Sequence, residues 1–241
     1  MEFYPINLVY FIVTIPIAII FSIILLKVKP QNNNLMKLLI LSAFLFIVRL
    51  NLVFFAETIG IMPYLKEDVI FYILLMIFGV LMTYLYVSKV EKVTFKEIGW
   101  DVQDVKKSIA YGLIGFIPLV CLFPLIMILA NIQISIAITI EKIIIALSFA
   151  ILGGFYEEIM FRGIIQNKLK DVFNDDKKII FFTALTFTLT HLFYLPFIGF
   201  GIFYIFVFLM AVILSILRMK SDQLACAILH GGIVFILIVA V

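Results

Sequence analysis

The residues best suited to chemistry are Glu157, Glu158 and Arg162, which lie together in an otherwise apolar stretch. Glu158 and Arg162 are four residues apart, so on a helix they share a face and can form an ion pair. Glu157 would project about 100° away from Glu158 around the helix. Two adjacent carboxyl groups in a low dielectric resist ionising together, so one of them is suited to exchange a proton as a general base.

The two histidines of the chain, His191 and His230, also lie in apolar stretches. A rise of about 1.5 Å per residue puts the glutamates roughly 15–17 Å, His191 about 20 Å and His230 about 12 Å from the basic ends of their helices. At such similar depths the histidines could share a water molecule with a glutamate or donate a hydrogen bond to a developing oxyanion. The alternative is that these polar groups only form hydrogen bonds between helices.

The elements that must position these residues are membrane-spanning helices. The 241-residue chain is 65% hydrophobic and 14% charged, with a mean hydropathy of +1.26. Repeated apolar runs of about 20 residues predict an all-α, polytopic membrane bundle of about eight helices, forming a single integral membrane domain over residues 1–241. The predicted spans are 5–26, 37–56, 68–88, 108–130, 142–169, 178–194, 197–217 and 222–241. The first run lacks a small-residue cleavage site, so we expect it to be a retained helix.

Loop charges predict the orientation in the cell membrane. Lysine and arginine concentrate in the loops after the first, third, fifth and seventh spans, whereas the alternate loops hold only Lys66 and Lys142. Positive loops stay in the cytoplasm, so both termini are expected outside, with the polar residues toward the cytoplasmic half of the bilayer. The longest polar connection, residues 90–107, contains Trp100 and is expected to lie at the membrane interface, the alternative being a solvated loop. The net charge of +3 gives no reason to expect a nucleic-acid partner.

Three motifs resemble those of the CPBP family of intramembrane proteases, also called the CAAX-protease and bacteriocin-processing or Abi family. They are EEIMFRG at residues 157–163, FTLTH at 187–191 and HGGIV at 230–234. The resemblance covers residues 95–241, the expected protease core, while residues 1–94 would supply N-terminal helices. It implies an endopeptidase that cleaves a membrane-associated or prenylated peptide or protein within the lipid bilayer.

The same resemblance implies a role for each site residue. Glu157 activates a water molecule with the help of His191, and His230 stabilises the tetrahedral oxyanion. Glu158 and Arg162 shape and neutralise the site. If zinc is present, its ligands would be Glu157, His191 and His230. The helical His-Glu-x-x-His signature is missing, so we expect no obligatory cofactor.

One position departs from the family pattern and keeps other functions open. The family usually has Asn or Asp four residues after its second histidine, where this chain has Val234, which cannot donate a hydrogen bond. A non-proteolytic protein of the same fold, acting as a self-immunity factor or signalling scaffold, is therefore the main alternative. A proton-coupled transporter is a third class, because intramembrane Glu and His can relay protons, although the sequence shows no internal repeat.

Arg49 is a further charged residue within an apolar run. Counted in the same way, it lies about 18 Å from the cytoplasmic end of the second span. It could hold a substrate carboxylate or pair with the glutamates, or it could only pair with a backbone carbonyl.

Overall fold

The computed structural model describes residues 69–129, 138–191 and 201–240, together with Pro16, Ile20 and Ile23. Arg49, the predicted span at 37–56 and most of the predicted span at 5–26 lie outside the described residues. Within the described part all regular secondary structure is helical, without strands, which confirms the all-α class.

Six long helices make up the described bundle. They are α1 (Val69–Leu85), α2 (Val105–Leu129), α3 (Ile140–Lys170), α4 (Asp176–Thr190), α5 (Ile202–Lys220) and α6 (Gln223–Ala240). Two short π-helical segments, Tyr86–Glu91 and Lys96–Trp100, connect α1 to α2. We refer to residues 94–100, which include the second of these segments, as the strap.

Four of the described helices, α2, α3, α5 and α6, are long and apolar enough to cross a membrane. They agree closely with the predicted spans at 108–130, 142–169, 197–217 and 222–241, and they support an integral membrane protein. Helix α1 has 17 residues in the described part and α4 has 15, so both are shorter than these four. The predicted count of about eight spans is therefore not confirmed.

Helix α6 lies at the centre of the described bundle, where it packs against α2, α3 and α5. Its contact with α3 depends on glycine. A Cβ at Gly154 would lie 2.7 Å from the Ala227 carbonyl oxygen, and a Cβ at Gly231 would lie 2.8 Å from the Ala150 carbonyl oxygen. Larger residues would force the two helices apart. The glycines therefore hold the part of α3 that carries the glutamates close to His230.

Helix α3 changes its winding where the glutamates lie. Leu152–Glu157 and Ile159–Ile165 are π-helical, whereas the two ends of the helix are α-helical. A π-helical turn takes more residues than an α-helical turn. The separation of about 100° expected for Glu157 and Glu158 applies to a regular α-helix, and a π-helical turn brings neighbouring side chains closer together around the helix axis. The wider winding allows both carboxylates to face the same interior.

Candidate active site

Glu158 is fully buried and makes two charge-assisted contacts through one oxygen. Its Oε1 accepts a hydrogen bond from Arg162 Nη1 at 2.8 Å and lies 2.7 Å from His230 Nδ1. Arg162 is also fully buried. A charge enclosed in this way is tolerated only when it is paired and hydrogen-bonded. The ion pair expected from the spacing of Glu158 and Arg162 is therefore present, and it also holds His230.

Arg162 links three helices at this point. Besides Glu158 on its own helix, it contacts α5, where its Nη2 donates to the Ala211 carbonyl oxygen at 3.3 Å. Its guanidinium carbon lies 4.5 Å from the centre of the Phe187 ring on α4, within the range of a cation–π contact. The arginine therefore fixes α3 against α4 and α5 beside the glutamates.

The hydrogen bonds of the two histidines fix which nitrogen carries the proton. His191 Nδ1 lies 2.8 Å from the Phe187 carbonyl oxygen, which can only accept, so Nδ1 is the donor. His230 Nδ1 donates to the Glu158 carboxylate for the same reason. In a neutral imidazole the other nitrogen then carries a lone pair. Nε2 is therefore the hydrogen-bond acceptor of each neutral ring.

Both Nε2 atoms face Glu157. Glu157 Oε2 lies 3.7 Å from His230 Nε2 and 3.9 Å from His191 Nε2. These separations exceed a direct hydrogen bond and suit one bridged by a water molecule. The Glu157 side chain is 18% exposed, whereas that of Glu158 is fully enclosed. Of the two neighbouring glutamates, Glu157 is thus the one whose side chain is partly exposed, while its Oε2, which lies toward the two histidines, is buried.

Residues 139–236 match the family model described as Type II CAAX prenyl endopeptidase Rce1-like. The matched region is similar to that family. It spans about two fifths of the chain and includes all three motifs, which confirms the predicted resemblance. At the level of the family it supports a membrane-embedded hydrolase that cleaves peptide bonds. Comparisons with curated proteins and with solved structures gave no match.

The matched region brings together all the predicted site residues that the structure describes. Its cluster comprises Glu157, Glu158, Arg162, His191 and His230. Sequence analysis missed a sixth polar side chain beside it, the fully buried Gln223, whose Nε2 donates to the main-chain carbonyl of Glu158 at 3.2 Å. The only signal was a glutamine at the polar start of the last span, which reads as an interfacial residue.

Val234 lies one turn after His230 on α6 and contributes no donor to the site. A Cβ at Gly153 would lie 3.2 Å from Val234 Cγ2 and 3.4 Å from His230 Nε2. The valine side chain is therefore close to the face of α3 that also faces His230. Where the family usually has a polar side chain, this chain therefore has the apolar side chain of Val234.

Glu157, His191 and His230 supply ligand types that zinc accepts, but their spacing differs from that of a zinc site. Bonds of 2.0–2.2 Å in tetrahedral geometry place donor atoms about 3.4 Å apart. The two separations measured from Glu157, 3.7 and 3.9 Å, are wider. Among the residues that the structure describes, no group of three His, Cys, Asp or Glu side chains is arranged to hold a metal ion. In this arrangement the three side chains are spread slightly wider than zinc ligands.

Proposed function

We propose that the protein is an intramembrane endopeptidase that hydrolyses a peptide bond with a water molecule activated by Glu157. The observation that carries the proposal is the approach of two histidine Nε2 atoms to Glu157 Oε2, at 3.7 and 3.9 Å, inside the region that matches the Rce1-like family model. A water molecule beside these atoms would donate one hydrogen to the Glu157 carboxylate and the other to His191 Nε2, and it would accept a hydrogen bond from His230 Nε2 when that ring is an imidazolium. Water held in this way is oriented and partly deprotonated before a substrate arrives.

In the first step, Glu157 Oε2 takes a proton from the water while the water oxygen attacks the carbonyl carbon of the scissile bond. The carbon–oxygen bond forms, and the electron pair of the carbonyl moves onto its oxygen. His191 accepts the second hydrogen of the water at Nε2, because its Nδ1 already donates to the Phe187 carbonyl oxygen. This contact directs the lone pair of the water toward the substrate.

The oxyanion formed in this step needs a donor, and His230 can supply one when it is an imidazolium. Its Nδ1–H remains on Glu158 Oε1, and its Nε2–H then points to the oxyanion. Glu158, itself paired with Arg162, stabilises the positive ring. Collapse of the intermediate breaks the carbon–nitrogen bond, and Glu157 returns its proton to the leaving amine.

An apolar cavity suggests the class of substrate. A space of about 740 Å³ lies between α1, the strap and α3, and apolar side chains line it, among them Leu81, Phe95, Trp100 and Phe155. Phe155 precedes Glu157 by two residues. A peptide carrying a lipid-like group, or the apolar segment of a membrane protein, would match this lining. The charged loops predict that such a substrate is cleaved in the cytoplasmic half of the bilayer.

The proposal is tested with purified protein in detergent and quenched-fluorescence peptides that include prenylated C-terminal peptides. Wild-type protein and Glu157→Ala are each assayed with and without a strong chelator. We expect wild-type cleavage that persists with chelator and is lost in Glu157→Ala. Loss of cleavage with chelator would contradict a reaction carried by the side chains alone, and wild-type rates from Glu157→Ala would remove Glu157 from the mechanism.

Val234 favours a second candidate function, because its side chain cannot donate a hydrogen bond to an oxyanion. That function is a non-proteolytic membrane protein of the same fold that acts in self-immunity or as a signalling scaffold. In that case the cluster of Glu, Arg and His would serve to hold helices together. The cellular phenotype would then survive both Glu157→Ala and His191→Ala. Loss of the phenotype in the two variants, with normal amounts of folded protein, would support the protease instead.

A further inference from the structure

The strap has a defined shape that ties it to the C-terminal helices. Gly99 has φ +96°, a left-handed conformation that glycine adopts most easily. A Cβ at this position would overlap the Arg218 guanidinium. The Ile98 carbonyl oxygen accepts from Arg218 Nη2 at 3.4 Å. The strap is therefore held where α5 ends and α6 begins.

The strap also packs against the turn of α3 that precedes the catalytic glutamate. The rings of Phe95 and Trp100 lie 6.2 and 5.3 Å from the ring of Phe155. Phe155 lies in the π-helical segment Leu152–Glu157. A displacement of the strap would thus act on the segment that ends at Glu157.

Gln223 joins the strap to this part of α3 through hydrogen bonds. Its side chain is fully buried, and its Nε2 donates to the carbonyl oxygens of Ile98 and Glu158, both at 3.2 Å. Both partners can only accept, so the amide nitrogen must be the atom that faces them. A Cβ at Gly163 would lie 2.9 Å from the same nitrogen. Strap, α3 and α6 therefore meet around one amide group.

The hydrogen bonding of Gln223 indicates that its side chain does more than fill space between the helices. Its Oε1 is buried and has no hydrogen-bond partner among the described residues, which costs free energy. An apolar side chain would avoid that cost, but it could not donate to two carbonyl groups at once. Glu158 lies between the two π-helical segments, where the main-chain hydrogen bonding of α3 changes. One of the two bonds therefore ends at the junction that orients both glutamates.

We propose that Gln223 is a positioning residue for the reaction: it fixes the Glu158 main chain to the strap and so holds the π-helical turn that presents Glu157. The inference rests on the proposed function. Gln223 neither touches the Glu157 carboxylate nor supplies a proton. Its loss would change the position of the carboxylates.

The test compares Gln223→Met with Gln166→Met, because the chain offers a closely matched control. Gln166 is also fully buried on α3, donates through Nε2 to the Ser215 carbonyl oxygen at 3.0 Å, and has a buried Oε1 without a hydrogen-bond partner among the described residues. Both variants lose buried hydrogen bonds, and both should lower the unfolding temperature. We expect kcat to fall about ten- to a hundredfold in Gln223→Met and to stay near wild type in Gln166→Met.

Two further measurements distinguish a positioning role of Gln223 from a general loss of stability. Amide hydrogen exchange over residues 94–100 and 152–158 should become faster in Gln223→Met and not in Gln166→Met. If Gln223→Met does not fold, Gly99→Ala displaces the strap by a different route and should lower kcat in the same way. Wild-type kcat and exchange in Gln223→Met, or an equal loss of kcat in Gln166→Met, would overturn the inference. Failure of the wild-type protein to cleave any peptide would count against the proposed function, and exchange alone would then decide the role of Gln223.

Discussion

Glu157 and Glu158 are neighbours in the chain but have different surroundings. Glu158 is enclosed and contacts Arg162 and His230 at 2.8 and 2.7 Å, whereas Glu157 keeps part of its surface exposed. The sequence indicated the pairing of Glu158 with Arg162, because that contact follows from their spacing on one helix. It did not indicate which nitrogen of each histidine faces Glu157, because that depends on the hydrogen bond that the other ring nitrogen makes.

This difference predicts separate effects of removing each charge. Glu158→Gln leaves the buried Arg162 guanidinium without its carboxylate, and loss of one partner of a buried ion pair costs roughly 3–5 kcal/mol. Glu157→Gln removes a partly exposed charge and should cost far less. Thermal unfolding in detergent should therefore show a large decrease in unfolding temperature for Glu158→Gln only. Equal stability of the two variants would contradict a structural role for the Glu158 pair.

Val234 allows a prediction of increased activity. If the missing donor beside His230 limits oxyanion binding, Val234→Asn should raise the cleavage rate. The matched control is Val239→Asn, which places the same side chain at a half-buried valine farther along α6. An unchanged rate in Val234→Asn would show that the oxyanion is bound by other groups.

At the scale of elements, hydropathy predicted the course of α3 but not its π-helical winding. Apolar runs report which segments enter the membrane, whereas the winding of Leu152–Ile165 depends on packing against α6 through glycines at Gly154 and Gly231. The position of Gln223 was missed for a similar reason. A glutamine at the start of a span is compatible with an interfacial position, and only the fold shows that the strap covers it.

The strap should respond to acid through Glu97. Its carboxylate accepts hydrogen bonds from the Thr94 backbone N–H and hydroxyl, which lower the pKa of Glu97 below its ordinary value of 4.5. A lowered pKa means that this stabilisation is present above the ordinary value and is lost as the pH falls through the lower, folded-state value. Because Trp100 is the only tryptophan, its fluorescence reports on the strap directly.

We therefore expect a change in Trp100 fluorescence as the pH falls below 4.5, and we expect Glu97→Gln to remove that change. The glutamine can accept the same hydrogen bonds but does not titrate. A transition of the same size and midpoint in Glu97→Gln would assign the change to another group.

At the scale of the whole molecule, apolar runs predicted α2, α3, α5 and α6 well, since each is long enough to satisfy its own backbone within lipid. The predicted span at 178–194 extends past Thr190, where α4 ends, and its last three residues lie outside the described part. Hydropathy measures composition and cannot show where main-chain hydrogen bonding stops.

The loop charges predict an orientation that can be measured directly. In a Cys121→Ala background, Asn174→Cys after α3 should react with a membrane-impermeant maleimide only when the cytoplasmic face is accessible. Ile138→Cys before α3 should show the opposite behaviour. Both native positions are exposed, so accessibility to the reagent depends on the side of the membrane. Labelling of both variants from one side would contradict the crossing of the membrane by α3.

The central claim is that Glu157 activates the attacking water, and one rate comparison tests it most directly. Glu157→Gln makes the change at the site. Glu141→Gln makes the same change on the same helix, but at the exposed first turn of α3. With matched unfolding temperatures, Glu157→Gln should cleave a peptide substrate at least about a hundredfold more slowly than wild type, and Glu141→Gln should keep the wild-type rate. Cleavage by Glu157→Gln at the wild-type rate would contradict the account.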